Sequence, residues 1–351
     1  MSFFRPNIES MPPYVPGEQP PAGAKVIKLN TNENPYAPSP RAMEVLRQMD
    51  ADRLRLYSDP ASGAFCQAVS KALGVPADWV LAGNGSDDLL SMIFLACAEP
   101  GRKVVYPTPT YVLYRTLAQM QAAEFVEVPF DEDYSLPVRE LIAAGGAVTF
   151  LARPNSPSGT AWPLEQIEEI AQDSSGLVVV DEAYVDFAED SAVDLARTYG
   201  NMIVLRTLSK GYSLAGLRLG FAVGDPALLA VLNKVKDSYP VDTVACLVGA
   251  AAVEDQPYKN ACVAKVNASR QSLSADLTKL GFKVWPSESN FLLAAAPGGD
   301  AERLYRGLKD RGILVRYFNE PRLADKLRIT VGTDEQNDAL VKAIGQVLGP
   351  E

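Results

Sequence analysis

The feature that most limits the possible folds is a series of short, continuously apolar runs separated by loops and helical stretches. The runs predict buried strands at Lys103–Tyr106, Ala147–Leu151, Leu177–Val180, Met202–Leu205 and Leu219–Val223. Strands that are apolar along their whole length are typical of parallel sheets covered on both faces. Helical spacing between the runs occurs at Asp87–Ala98, Tyr111–Ala122 and Leu164–Asp173. The pattern predicts an α/β fold with a mostly parallel sheet flanked by helices.

The 351 residues are enough for about two domains. Residues 1–38 are rich in proline, which excludes a continuous helix, so a loop-like arm that lies against another surface is expected. Residues 39–240 are predicted to form the large domain, and residues 241–351 a smaller C-terminal α/β domain with a linking helix. The segments that support this division are helical patterns at Arg41–Met49, Ala64–Leu73, Asp225–Ser238, Val241–Leu280, Ala301–Arg311 and Glu335–Leu348, and strands at Phe291–Ala295, Leu314–Phe318 and Leu327–Val331.

Composition excludes several classes of chemistry. The chain contains no histidine, which removes Ser-His-Asp triads, Cys-His pairs and His-ligated zinc. Its formal net charge of −10 argues against a nucleic-acid or anionic-membrane partner. The four cysteines form no CxxC pair, so no metal site is expected. With no signal-peptide pattern and no apolar stretch long enough for a membrane span, a soluble cytoplasmic protein with reduced thiols is predicted.

The densest chemical signal is the segment from Arg206 to Gly220, which follows an apolar run. Its hydroxyls, Thr207 and Ser209, together with Arg218, suit a phosphate dianion because they donate charge-assisted hydrogen bonds. A partly desolvated lysine beside such a site, here Lys210, can form a Schiff base. Taken alone, a Ser-Lys pair in a loop is usually solvated.

A second signal is Asp181, which directly follows an apolar run and so falls at the carboxyl end of a buried strand. Open α/β sheets place their ligands at that edge. A carboxylate buried there needs a cation or a strong donor, such as a protonated pyridine nitrogen. The alternative is a cap for the following segment.

Three further segments occupy the same kind of position. Gly85, Ser86 and Asp87 open an apolar helix, which makes an anion site or a plain helix cap. Asn155 lies in a Pro- and Gly-containing turn that could present its amide to a ligand, and Tyr111 follows a strand end where its ring could stack or pack in the core. Because all five signals fall at the carboxyl ends of successive strand units, together they favour one ligand site.

With these motifs the sequence resembles the fold type I pyridoxal-phosphate aminotransferases and, within them, the histidinol-phosphate aminotransferase family. The resemblance runs nearly end to end, and the motifs that carry it are Pro13–Gly17, Leu29–Pro35, Asp181–Tyr184, Ser209–Lys210 with Ala215–Arg218, and Lys326–Thr333. It implies a large domain and a smaller C-terminal domain, the cofactor pyridoxal 5′-phosphate, and small-molecule partners, namely an amino donor and a 2-oxo acid. The implied reaction converts L-histidinol phosphate and 2-oxoglutarate to imidazole-acetol phosphate and L-glutamate in histidine biosynthesis.

The resemblance also implies roles for single residues. Lys210 would bind the cofactor through a Schiff base and move the proton between substrate Cα and cofactor C4′. Asp181 would pair with the pyridine nitrogen, Tyr184 and Asn155 would bind the phenolic oxygen, and Tyr111 would stack on the ring. The residues implied around the cofactor phosphate are Gly85, Ser86, Asp87, Thr207, Ser209 and Arg218.

Other matches concern the substrate and a second subunit. Tyr57 matches a tyrosine that reaches the phosphate of the neighbouring subunit, which implies a homodimer with shared active sites. The implied substrate-binding residues are Tyr14, Asn34, Arg316 and Arg328, with Tyr14 supplied across the interface. Asn290 matches a family position without an assigned role. Two departures, Ser156 and Ser158 in the Asn155 turn and Asp88 after Asp87, leave the cofactor contacts in place.

Two other functions remain open at this point. The same scaffold serves aromatic amino acid aminotransferases and phospho-amino-acid decarboxylases, which share nearly all of these motifs. A non-catalytic ligand-binding protein with this fold is the other alternative, and the intact Lys210, Asp181 and Arg218 argue against it, because a binding protein needs no Schiff-base lysine.

Overall fold

Helices and strands alternate along most of the chain in the computed structural model, which describes residues 3–12, 17–21, 23 and 25–349. The strands are β1 (Ile27–Lys28), β2 (Val80–Gly83), β3 (Lys103–Thr108), β4 (Glu124–Pro129), β5 (Val148–Ala152), β6 (Leu177–Asp181), β7 (Met202–Thr207), β8 (Gly220–Gly224), β9 (Lys283–Val284), β10 (Phe291–Ala295), β11 (Ile313–Leu314), β12 (Arg316–Tyr317) and β13 (Lys326–Thr330). The helices are α1 (Pro6–Glu9), α2 (Pro40–Arg47), α3 (Ala51–Leu54), α4 (Gly63–Leu73), α5 (Ser86–Cys97), α6 (Leu113–Met120), α7 (Val138–Ala143), α8 (Leu164–Asp173), α9 (Val193–Thr198), α10 (Pro226–Leu232), α11 (Thr243–Glu254), α12 (Gln256–Lys279), α13 (Ala301–Lys309) and α14 (Asp334–Leu348).

The central sheet has the strand order β2-β8-β7-β6-β5-β3-β4. All neighbouring pairs are parallel except those of β8, which is antiparallel to both β7 and β2. Helices cover both faces, and this explains the continuously apolar strands: Val178 and Val180 pack into one apolar layer while Val179, between them, packs into the other. The predicted α/β fold with a mostly parallel sheet is confirmed.

The C-terminal part contains a second, antiparallel sheet of order β12-β13-β10-β9. Its apolar face packs with α13 and α14 through Leu292, Leu304, Ile329 and Leu340. The single strand predicted at Leu314–Phe318 is wrong. The backbone divides there because β11 pairs with β1 while β12 pairs with β13.

The expectation that the N-terminal residues lack regular structure is also wrong in two places. Proline occupies the first position of the short helix α1, where its missing N–H costs nothing. Further along, β1 forms a parallel pair with β11. The arm is therefore fastened to the C-terminal unit by backbone hydrogen bonds.

The long helical pattern at Val241–Leu280 is interrupted at Asp255, which separates α11 from α12. α11 packs against α2 and α4, and its Ala245 and Val248 lie in the same apolar layer as Phe65. α11 thus packs with helices of the predicted large domain, and the division at 240/241 remains a proposal. Among the described helices, none has the length and apolar character that crossing a membrane demands.

Candidate active site

The start of α5 forms the floor of a cradle at the edge of the central sheet. Gly85 precedes the helix with φ +88°, and no side chain caps the helix there, so its first N–H groups are available to an anion. The beginning of β8 lies directly against this helix start. A Cβ added at Gly220 would be only 2.6 Å from the Ser86 nitrogen. Only a residue without a side chain allows so close an approach.

Arg218 closes the cradle from the β7–β8 loop. A Cβ at Gly85 would lie 2.7 Å from Nη2 of Arg218. Nη1 of Arg218 donates to Ser209 Oγ over 3.3 Å, and Thr207 Oγ1 is 3.0 Å from the same oxygen. Thus Gly85, Thr207, Ser209 and Arg218 converge on the positive end of α5. A guanidinium, two hydroxyls and free helix N–H groups are a donor set that fits a phosphate dianion.

Asp87 lies beside this cradle with its carboxylate already engaged. Oδ1 accepts from the Tyr111 hydroxyl over 3.0 Å, and Oδ2 accepts from Nη2 of Arg218 over 3.3 Å. A second anion would be repelled by this carboxylate, so the group that Asp87 can offer a phosphate is its backbone N–H. The hydrogen bond from the Tyr111 hydroxyl to Oδ1 of Asp87 fixes the Tyr111 ring at the rim of the cradle.

Asp181 ends β6 and is only 4% exposed. Burial raises the pKa of its carboxyl to about 6, and the nearby Asp87 and Glu182 carboxylates act in the same direction. Two donors oppose this rise: the hydroxyl of the fully buried Tyr114, 2.8 Å from Oδ2, and the N–H of Ala183, 3.2 Å from Oδ1. These two neutral donors leave the negative charge of the carboxylate uncompensated, and a protonated ring nitrogen would balance it.

Lys210 lies in the loop between β7 and β8, and the structure brings it to Tyr184. Its Nζ donates to the Thr31 carbonyl over 3.2 Å and lies 5.6 Å from the centre of the Tyr184 ring. The backbone of the lysine loop is bound by Asn34, whose Nδ2 donates to the Lys210 carbonyl over 3.1 Å. In this geometry Asn34 positions the loop, and its contact with substrate stays a prediction.

Tyr184 is itself held in place by its neighbours. Its hydroxyl accepts from Nδ2 of Asn32 over 2.9 Å, and its ring stands edge-on to Phe291, with 5.0 Å between ring centres. Asn32 is buried with a φ of +59° and is fixed in turn by Thr330 and by the Asn290 amide. Asn290 thus supports Tyr184 indirectly, through Asn32.

Asn155 is completely buried and has both ends of its amide engaged. Oδ1 accepts from Thr110 over 2.7 Å, while Nδ2 donates to Ser158 Oγ over 2.9 Å and to the Pro109 carbonyl over 3.3 Å. The amide fastens its own turn to the segment after β3. A contact between Asn155 and a cofactor oxygen stays a prediction. It requires that Nδ2, which already donates to Ser158 and Pro109, donate to the cofactor as well.

Arg316 and Arg328 lie on the adjacent strands β12 and β13. Arg328 donates to Ser156 Oγ over 3.1 Å and to the Asn30 carbonyl over 3.0 Å. Both guanidiniums lie over the Phe318 ring, at 5.1 Å for Arg316 and 5.6 Å for Arg328. Two neighbouring guanidiniums on an aromatic ring fit an anionic group of a small substrate.

Among the predicted site residues that the structure describes, Tyr57 is not part of this cluster. Tyr57 is 83% exposed, and its ring stacks on that of Tyr239 with 4.4 Å between centres. Tyr14 lies outside the described residues.

Sequence reasoning missed Tyr114 and Asn32, which contact Asp181 and Tyr184. Tyr114 had no distinguishing signal, because a tyrosine on an apolar helix face predicts core packing. The signal for Asn32 was the run of polar residues from Asn30 to Asn34, which is unusual beside a buried segment.

Known proteins resemble this chain along nearly its whole length. The family model for aminotransferase class I and II matches residues 24–344. Histidinol-phosphate aminotransferase 1 of Trichormus variabilis is 61% identical over 99% of both chains, and the histidinol-phosphate aminotransferase of a Geobacter species is 43% identical over 100% of this chain and 99% of its own.

A solved structure extends the likeness to the fold. The crystal structure of histidinol-phosphate aminotransferase from Sinorhizobium meliloti in complex with pyridoxal-5′-phosphate superposes with a TM-score of 0.91 at 28% identity, covering 99% of this chain and 98% of the other. On these grounds the chain belongs to the class I and II aminotransferases and, within them, to the histidinol-phosphate aminotransferase family.

Proposed function

We propose that this protein is a pyridoxal-phosphate-dependent histidinol-phosphate aminotransferase of histidine biosynthesis. It converts L-histidinol phosphate and 2-oxoglutarate to imidazole-acetol phosphate and L-glutamate. The observation that carries the proposal is the β7–β8 hairpin, whose loop presents Arg218 beside the start of α5 and Lys210 beside the Tyr184 ring. The hairpin occurs in a chain 61% identical to a relative named for this activity.

The residues around the hairpin suit pyridoxal phosphate. When bound, this cofactor supplies an electron sink for the negative charge that develops at substrate Cα. Arg218, Ser209, Thr207 and the N–H groups of Ser86 and Asp87 would hold its phosphate at the helix start. Asp181 would keep the ring nitrogen protonated, Tyr111 would stack on the ring, and Tyr184 and Asn155 would bind the phenolic oxygen.

Lys210 would be the base of the reaction. In a chain without histidine, a lysine released from its bond to the cofactor is the amine that can take the proton from substrate Cα and return it at cofactor C4′. Its neighbours favour this role: the Thr31 carbonyl accepts from Nζ, and Asn34 fixes the loop backbone.

Arg328 and Arg316 would bind the anionic end of each substrate in turn. A guanidinium fork fits the phosphate of histidinol phosphate as well as the distal carboxylate of glutamate or 2-oxoglutarate. One subsite therefore serves both half-reactions. The hydrogen bonds of Arg328 to Ser156 and Asn30 support it by fixing the orientation of the fork.

We further propose a cytoplasmic homodimer with shared active sites. The Tyr57 ring supports this, since it is exposed on the surface, where it would meet the phosphate cradle of a second copy. Tyr14 is proposed to reach the substrate of the second copy. The acidic net charge is in keeping with small-molecule rather than nucleic-acid or membrane partners.

The test combines cofactor and substrate. The protein purified with pyridoxal phosphate should show a visible absorption band that borohydride removes while fixing the cofactor on Lys210, and Lys210→Ala should lack both band and turnover. Histidinol phosphate should be the preferred amino donor. Absence of the band contradicts the proposal, and turnover of phenylalanine that is faster by orders of magnitude replaces it with an aromatic aminotransferase.

A further inference from the structure

The hydroxyl of Tyr114 is the side-chain donor to the buried carboxylate of Asp181. The two oxygens are 2.8 Å apart, and neither residue has appreciable contact with solvent. Tyr114 comes from α6, on a different element from Asp181, so the bond joins a helix to the end of β6. Its ring is fixed by Phe150, 5.1 Å away in a stacked arrangement, and by Tyr111, 5.8 Å away and edge-on.

The surroundings of Asp181 make this bond consequential. A carboxyl enclosed by protein is driven toward its neutral form by burial and by the neighbouring carboxylates of Asp87 and Glu182. Only the ionised form can pair with a protonated ring nitrogen, since a neutral acid would keep its proton and donate a hydrogen bond to an unprotonated ring nitrogen. The donors that favour the ionised form are the Tyr114 hydroxyl and the Ala183 N–H.

We propose that Tyr114 is a positioning residue that keeps Asp181 ionised and holds its carboxylate in the orientation that protonates the cofactor ring. This inference rests on the proposed function, because it assigns to Tyr114 a role toward the cofactor that the proposed reaction needs. Tyr114 acts through Asp181 and does not touch the reacting atoms itself.

The same aromatic cluster provides a matched control. Tyr106 is also buried, and its ring centre is 5.8 Å from that of Tyr114. Its hydroxyl donates to Glu127 over 3.0 Å instead of to Asp181. Tyr106→Phe and Tyr114→Phe therefore each remove one hydroxyl oxygen from the same core. Only Tyr114→Phe removes a hydrogen bond to the Asp181 carboxylate.

The experiment compares the wild-type protein, Tyr114→Phe and Tyr106→Phe, each stripped of cofactor and titrated with pyridoxal phosphate. Losing a hydrogen bond to a charged group should weaken cofactor binding roughly 10- to 100-fold in Tyr114→Phe. With cofactor labelled by 15N in the ring, the nitrogen signal of Tyr114→Phe should shift toward the unprotonated form at neutral pH. Tyr106→Phe should match the wild type in both measurements.

A fluorotyrosine at position 114 gives a second, independent variant that keeps the packing. Its more acidic hydroxyl is a stronger donor to the ionised carboxylate, so at neutral pH the ring-nitrogen signal should lie at least as far toward the protonated form as in the wild type. Thermal unfolding of the cofactor-free proteins shows whether each variant is folded.

The outcomes separate this inference from the proposed function. A wild-type protein that binds no cofactor overturns the proposed function and this inference with it. A wild type that binds a ring-protonated cofactor, together with a Tyr114→Phe variant indistinguishable from Tyr106→Phe, overturns the role of Tyr114 alone.

Discussion

Arg316 and Arg328 stand directly opposite each other on neighbouring antiparallel strands. Side chains at paired positions share one face of the sheet, so two like charges are held close together, which is destabilising unless an anion lies between them. The protein maintains this arrangement on an aromatic support, the Phe318 ring, that both guanidiniums share.

Arg316→Gln should therefore separate binding from stability. Removing one of two repelling charges should leave the free energy of unfolding unchanged or raise it by about 0.2–1 kcal/mol. The KM for histidinol phosphate and that for 2-oxoglutarate should both rise at least about tenfold, since a hydrogen bond to a charged group is lost. Arg306→Gln, an exposed change on α13, is the control and should alter neither KM. Unchanged KM values in Arg316→Gln would remove Arg316 from the substrate subsite.

Arg218→Lys keeps the positive charge of the cradle but not the fork. Pyridoxal phosphate should bind roughly 10-fold or more weakly to this variant, whereas pyridoxal, which lacks the phosphate, should bind wild type and variant equally. Equilibrium titration of the cofactor-free proteins with each compound measures the difference. Equal losses for both compounds would place Arg218 elsewhere than at the phosphate.

Gly85→Ala tests the closeness of the cradle. A methyl group there would meet the Arg218 guanidinium, whereas one at Gly101 meets open space although its φ, +84°, is nearly the same. Both alanine variants should lose about 1–3 kcal/mol of unfolding free energy to backbone strain. Cofactor affinity should fall only in Gly85→Ala, and a parallel fall in Gly101→Ala would show that strain alone is responsible.

Asp181→Asn should stabilise the cofactor-free protein at neutral pH and weaken its binding of pyridoxal phosphate. Burial raises the pKa of this carboxyl from 3.8 to about 6, so in that pH range the folded protein binds a proton that the unfolded chain has released. The contribution of Asp181 to the stability of the cofactor-free protein is thus present below pH 3.8 and is lost as pH rises through about 6. At neutral pH the loss is on the order of 2–3 kcal/mol.

The asparagine variant has no such titration. Chemical unfolding of the cofactor-free proteins should show Asp181→Asn gaining stability over the wild type as pH rises from 4 to 7, while its affinity for pyridoxal phosphate falls sharply. The prediction is contradicted if the stability of the wild type rises steadily over that pH range while that of the variant is unchanged. The ionised carboxylate would then not destabilise the folded protein.

The sequence predicted the interior strands well because covering both faces of a sheet leaves an unmistakable apolar run, as in β6. It failed at the edges. β4 was missed because Glu124 and Glu127 interrupt it and Pro129 ends it, features that an edge strand tolerates and an interior strand does not. β2 was missed because its four residues merge with the turn that leads into α5.

The site divides in the same way. Asp181 was found because a carboxylate at the end of a buried strand needs a partner, and Lys210 and Arg218 were found because they share one loop with two hydroxyls. Tyr114 and Asn32 were not, because their importance comes from contacts with residues distant in the chain. A lone tyrosine gives no local sign of such a contact, and the polar run around Asn32 does not tell which residue it contacts. The tie between Asn34 and the lysine loop, across 176 positions, is equally invisible in the sequence.

The β7–β8 hairpin fixes both ends of the loop that carries Lys210. Paired backbone fastens both ends, Thr207 opposite Gly220 and the Leu208 N–H on the Leu219 carbonyl. A one-residue shift in the pairing of β8 would turn its side chains to the other face, moving Phe221 and Ala222 into each other's apolar layers. A change in loop length therefore has to be taken up within the loop itself, which carries Ser209, Lys210 and Arg218. We expect this loop to tolerate insertions and deletions less well than most surface loops do.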